Sequence, residues 1–181
     1  MIFKSEELIS ELKEQVTNHI AFAESLKKLS EKELQQKRTD KSWSALECIE
    51  HLNLYAVFYN QEIKRCIEKS STKTNSEFKS GYLGNKFALD MLPKEGMKTM
   101  NTFKSKNPKY SKLKVNNVLT CFIAFQSELL ILLESAKKVD LTAVKTAITL
   151  PLLKFRLGDT FRFVIYHNER HIVQAKKVLK K

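Results

Sequence analysis

Apolar residues recur at spacings of three and four along most of the chain, the period of an α-helix that buries one face. Leu8, Ile9, Leu12, Val16, Ile20, Ala23 and Leu26 form the first such stripe. It predicts a helix over about residues 5–30. Ser5 stands as its N-cap, with Glu6 and Glu7 in the first turn, where carboxylates meet the positive end of the helix dipole. A second stripe, Leu46, Ile49, Leu52, Ala56, Tyr59 and Ile63, begins at Ser44-Ala45-Leu46-Glu47. Ser followed three residues later by Glu has the spacing of a capping box, so a helix is predicted from about 44 to about 69. The third stripe is Val118, Leu119, Phe122, Phe125, Leu129, Leu132, Leu133 and Ala136, giving a helix over about 115–139. The fourth helix is expected to start after Gly158-Asp159, with Asp159 as N-cap, and to run to about Leu179. Its basic end, Lys176, Lys177, Lys180 and Lys181, suits the negative pole of the dipole.

The segments between are unequal. Residues 31–41 are polar, and 70–75 read as a loop. In 76–114, Phe78, Tyr82, Leu83, Phe87, Leu89, Met91 and Leu92 predict a short helix or an irregular packing segment, and Pro93, Gly96 and Pro108 interrupt the remainder. A connection this long between helices is unusual unless it covers a site or crosses the bundle. Residues 140–158 are expected to be a connector with one helical turn at Leu141 to Ala147, interrupted by Pro151. Four long helices with long connectors predict an all-α four-helix bundle, and 181 residues fit a single domain spanning 1–181.

Composition narrows the function classes. Four Gly and three Pro disfavour a β-sandwich, a barrel or a Gly-rich phosphate loop. The net charge of +12 invites a nucleic-acid reading. Only five of the 32 basic residues are Arg, and the lysines are dispersed as on a solvated surface, so specific nucleic-acid binding is not expected. Residues 1–10 lack the apolar core of a signal peptide, and the best apolar run, Leu129 to Leu133, is far short of a membrane span. Cys48, Cys66 and Cys121 are widely spaced and odd in number, which suits reduced, buried thiols in a cytoplasm.

The four histidines are the informative residues. His167 and His171 are four apart on the fourth helix, so both imidazoles lie on one face, where they can share a metal ion or stand as one surface and one core residue. His51 shares a face of the second helix with Cys48, Leu54, Tyr55 and Phe58 and is expected to point into the bundle. One inward His facing such a pair supplies three nitrogen ligands and leaves a coordination position open, the arrangement of a catalytic metal. His19 lies at heptad spacing between Leu12 and Leu26 and reads as a core or boundary histidine.

The string Trp43-Ser44-Ala45-Leu46-Glu47-Cys48-Ile49-Glu50-His51-Leu52 resembles the W-S-x-x-E-x-x-x-H-L signature of the DinB/YfiT-like superfamily. Leu157-Gly158-Asp159, followed by His167-Asn168-Glu169-Arg170-His171-Ile172-Val173-Gln174-Ala175, resembles the final helix of that superfamily, with its H-x-x-R-H-x-x-Q pattern. The resemblance covers essentially the whole chain. It implies a bundle of up-down-down-up type holding a divalent metal through His51, His167 and His171. It also implies kinship with thiol-dependent S-transferases and isomerases that use low-molecular-weight thiols, and with metal-dependent hydrolases.

Supporting residues keep two readings each. Glu47, four before His51, either orients an imidazole or closes the capping box. Gln174 either orients a ligand or a bound water, or bridges helices. Arg170 either forms a structural ion pair or binds an anionic substrate. Trp43 reads as a packing anchor, Tyr55 and Phe58 as pocket walls or core, and Cys48 sits within reach of His51 without the marks of a nucleophile. Neutral nitrogen ligands suit Zn²⁺ or Ni²⁺ ahead of Fe²⁺ or Mn²⁺. The expectation is a metal-dependent enzyme of thiol-transferase or hydrolase type acting on a small molecule, with a low-molecular-weight thiol as co-substrate and a homodimer as one arrangement. The alternative is a non-catalytic, stress-associated bundle that serves as a binding or interaction protein.

Overall fold

A computed structural model describes residues 1–94 and 102–180. Four long helices form the body: α1 (Ser5–Leu26), α3 (Ala45–Glu68), α5 (Val115–Ala136) and α6 (Leu157–Leu179), with short helices α2 (Glu31–Gln35) and α4 (Tyr82–Met91) in the connectors. Each of α1 and α3 packs on both α5 and α6. That makes a four-membered ring whose inner faces are the predicted stripes. Leu12 and Val16 of α1, Ile63 of α3, Leu133 of α5 and Ile165 of α6 meet in one part of the core. Leu26, Ile49, Phe122 and Ile172 meet in another.

α5 is long and apolar enough to cross a membrane by composition, with a mean hydropathy of 1.6, contrary to the short apolar run read from the sequence. Its Leu119, Phe122, Gln126, Leu129 and Leu133 are buried, and the helix is packed between α1 and α3.

Three helix starts differ in detail. α1 includes Ser5, so Lys4 takes the cap position, and Ser5 N–H donates to the Ser76 carbonyl. α6 begins at Leu157, two residues before the expected cap, because the Leu157 and Gly158 amides donate to the carbonyls of Val144 and Leu141. α2 arises in the polar 31–41 stretch from a capping box of its own, Ser30 with Glu33, and buries Leu34. The predicted capping box of Ser44 and Glu47 is present in full.

Among the described residues the connectors hold two small antiparallel pairs that helical periodicity did not reveal. β1 (Ile2–Lys4) pairs with β2 (Glu77–Lys79), Phe3 opposite Phe78. β3 (Lys145–Ala147) pairs with β4 (Lys154–Arg156), Thr146 opposite Phe155, so 145–147 is a strand where a helical turn was expected. Gly96, with the rest of 95–101, and Lys181 lie outside the described residues.

α4 is fastened to α6 by hydrogen bonds to an ion pair buried within α6. Asp159 Oδ1 lies 3.2 Å from Arg162 Nη1, and that guanidinium nitrogen also donates to Ser80 Oγ at 3.1 Å and Asn85 Oδ1 at 3.0 Å. Asp159 Oδ2 accepts from Gly81 N–H at 2.7 Å. A Cβ on Gly84 would fall 2.6 Å from Asp159 Oδ2, so only glycine lets the two helices approach this closely.

Candidate metal centre

α3 contributes His51 from its second turn, and α6 contributes His167 and His171 from its middle turns. One ligand-capable nitrogen from each of the three lies within 4.8 Å of the other two. His51 and His167 are buried, while His171 is partly exposed at the rim. The Nε2 atoms of His51 and His167 are 3.3 Å apart. Two ligands about 2.0–2.1 Å from one ion at a tetrahedral angle stand about 3.3–3.4 Å apart, so the spacing suits a shared cation.

Hydrogen bonds at the far side of two rings set their tautomers. His51 Nδ1–H donates to the backbone carbonyl of Lys106 at 2.7 Å. His171 Nδ1–H donates to Gln174 Oε1 at 2.9 Å. Both acceptors lack protons of their own to give, so each ring keeps its Nε2 lone pair for the centre. Burial pushes the His51 imidazole down to about 4 and that of His171 down to about 3, and holds His167 well below its ordinary value. Nearby positive charge acts in the same direction, from Lys106 on His51 and from Arg170 on the other two. Neutral imidazole is the form that binds metal. Three neutral imidazoles with nitrogens within 4.8 Å of one another are a donor set that could hold a metal ion.

The walls are aromatic. Trp43 lies 4.7 Å from His51 and 5.7 Å from His171, centroid to centroid. Tyr55 lies 4.9 Å from both His51 and His167, and Phe163 stacks on His167 at 6.2 Å. Trp43 and Tyr55 are therefore in contact with the candidate ligands, whereas Phe58 packs one step away on Tyr59. Deeper in the bundle, a cavity of about 10 Å³, space for about one water, runs from His167 past Asn168, Gln126 and Asn60.

The remaining sequence candidates separate. Gln174 supports His171, as one of its two readings required. Glu47 takes the other of its readings: one carboxylate oxygen accepts from Ser44 N–H and the other from Lys37 Nζ, both at 2.8 Å. Arg170 Nη1 donates to the carbonyl of Asp90 at 3.2 Å, tying α6 to the end of α4. Cys48 is buried beside Ala45 and Ala175, and burial pushes its thiol up to about 12, which removes it as a nucleophile. Cys66 is also buried, but Cys121 is exposed, against the expectation of three core thiols. His19 is buried away from the centre, with Nε2 3.0 Å from Glu169 Oε2.

Sequence reasoning missed Lys106. Its contribution to His51 is a backbone carbonyl, which leaves no trace in residue type. The only signal was the length of the 76–114 connector, which does come back to cover the site. The 140–158 connector instead packs on the far half of α3, where Ala147 N–H donates to Glu62.

Residues 16–175 match the DinB superfamily, so the chain belongs to that family. No curated protein and no solved structure matches it.

Proposed function

We propose that His51, His167 and His171 hold one divalent ion, zinc or nickel ahead of iron or manganese, on a bundle of up-down-down-up type, and that the protein is a metal-dependent enzyme acting on a small molecule. The observation that carries this reading is the pair of carbonyl acceptors, Lys106 O and Gln174 Oε1, which turn two imidazole lone pairs toward a third within 4.8 Å. A divalent ion supplies Lewis acidity at such a site, lowering the pKa of a thiol or water in the position that three ligands leave open. The chain's own part is to exclude bulk water with Trp43, Tyr55 and Phe163 and to keep the ligands neutral by burial. A thiol S-transfer or a hydrolysis fits this provision, with a low-molecular-weight thiol as co-substrate in the first case. We place the protein in the cytoplasm, where its three free cysteines stay reduced, and a homodimer is compatible with the reading.

The test is metal content with activity. Purified wild type is expected to carry about one ion per chain by mass spectrometry, and His51→Ala to lose it. Thiol transfer to a generic electrophile, or ester hydrolysis, should require the loaded protein. Unchanged metal content in His51→Ala overturns the site. A loaded protein inert in both assays favours the non-catalytic alternative.

A further inference from the structure

The segment that covers the histidines is basic throughout. Lys104, Lys106, Lys109, Lys112 and Lys114 fall within residues 102–114, and no Asp or Glu occurs from 102 to 127. Two 3-10 turns, Lys104–Lys106 and Pro108–Tyr110, fold this segment against α3. Lys106 is drawn inward at the same place where its carbonyl holds His51. Its Nζ lies 5.6 Å from the centre of the Tyr55 ring, and that ring in turn touches His51 and His167. One aromatic ring therefore separates the ammonium from the candidate ligands.

Among the described residues, nothing compensates the charge at this point. Lys106 gives one of its three protons to the Leu54 carbonyl at 2.5 Å. Among the described residues no carboxylate forms an ion pair with it. Among the described residues the candidate cluster is all nitrogen, with no acidic ligand. A divalent ion would add two further positive charges beside a half-buried ammonium. Holding like charges together away from water is unfavourable unless an anion arrives to balance them.

We propose that the small-molecule ligand of this site carries a carboxylate, and that Lys106 is the residue that recognises it while the metal-binding atom of the same molecule sits at the histidines. The inference rests on the metal-site reading above and names its substrate class: a compact anionic thiol or anionic acyl compound rather than a neutral one. The neighbouring lysines of 102–114 add an attractive field that draws such a ligand in. The Lys106 ammonium supplies a directional, charge-assisted bond at the end of the path.

Cobalt(II)-substituted protein offers a readout independent of turnover. Two thiols of equal length, 3-mercaptopropionate and 3-mercapto-1-propanol, are titrated against it, following the thiolate-to-cobalt absorption. Wild type is expected to bind the carboxylate compound about tenfold more tightly. Lys106→Gln keeps the backbone carbonyl to His51 and should keep cobalt, yet bring the two affinities together. Lys106→Arg should retain most of the preference. Lys13→Gln, distant on α1, should leave it unchanged. Raising NaCl from about 0.05 to about 0.5 M should erode the wild-type preference, an arm that stands if the variant does not fold. Equal affinities in wild type, a preference indifferent to salt, or a preference intact in Lys106→Gln overturns the proposal while leaving the metal site in place. Failure of wild type to bind cobalt overturns the underlying site instead.

Discussion

His171 Nδ1 and Gln174 Oε1, three residues apart on α6, are joined by a 2.9 Å hydrogen bond. The bond spans one turn of one helix, so it needs no tertiary contact to form. Replacing Gln174 by Leu keeps the volume and removes the acceptor. His171 is then free to present either nitrogen. The expected result is a 10–100-fold loss of metal affinity with little change in helicity, measured by competition against a chromophoric chelator. Affinity within twofold of wild type would show that Gln174 does not orient the ligand.

His19 serves as the contrast. It is as buried as His51 but is bonded to Glu169, away from the cluster. His19→Ala should leave the metal stoichiometry unchanged while lowering stability by about 2 kcal/mol, from the vacated volume and the lost partner of Glu169. Mass spectrometry with urea denaturation separates the two effects. Loss of metal in this variant would place His19 at the centre.

Gly84 reports on the joint between α4 and α6. An added methyl would meet the Asp159 carboxylate at 2.6 Å, whereas at Gly81 the nearest atom is 3.4 Å away. Gly84→Ala should cost about 1–3 kcal/mol by overpacking and by disturbing a buried ion pair. Gly81→Ala should cost less. Equal midpoints in denaturant for the two variants would contradict this packing.

In metal-free protein the histidines make stability depend on pH. Folding lowers His51 from 6.5 to about 4 and His171 to about 3, so the unfolded chain binds more protons between those values. Stability is then fully present above about pH 6.5 and is lost as pH falls toward 4, by up to about 1.4 kcal/mol per pH unit for each group. Denaturation of chelator-treated protein at stepped pH should show this slope, and His51→Phe should reduce it. A flat profile between pH 6.5 and 4 would mean that the imidazoles are not held neutral.

The long helices were legible because each buries a stripe wide enough to set a clear period, as Leu8 to Leu26 does on α1. The triad was legible for a related reason: His167 and His171 share a helical face, and His51 lies on an apolar one. What escaped is decided by partners distant in sequence. Asp159 looked like an N-cap, yet α6 starts earlier because the Val144 and Leu141 carbonyls take its first amides, and the carboxylate turns to Gly81 and Arg162. Three-residue strands such as Ile2–Lys4 are too short to display alternation. Glu47 illustrates a tie that sequence alone left standing: one spacing served both readings, and only the Lys37 contact shows where its second oxygen goes.

α6 is pinned near its start and again past its midpoint. Near its start, Asp159 and Arg162 lock it to Ser80, Gly81 and Asn85. Just past its midpoint, Glu169 reaches α1 through His19, and Arg170 reaches the last turn of α4. A slide of α6 by one turn along its own axis would break all of these links together. The separation of the three imidazoles is thus a property of the folded chain rather than something an arriving ion must impose, and the conformational entropy of assembling the ligands is spent during folding. An ion taken up by these histidines would therefore meet a fixed scaffold, with selectivity set by which ion tolerates the given nitrogen spacing.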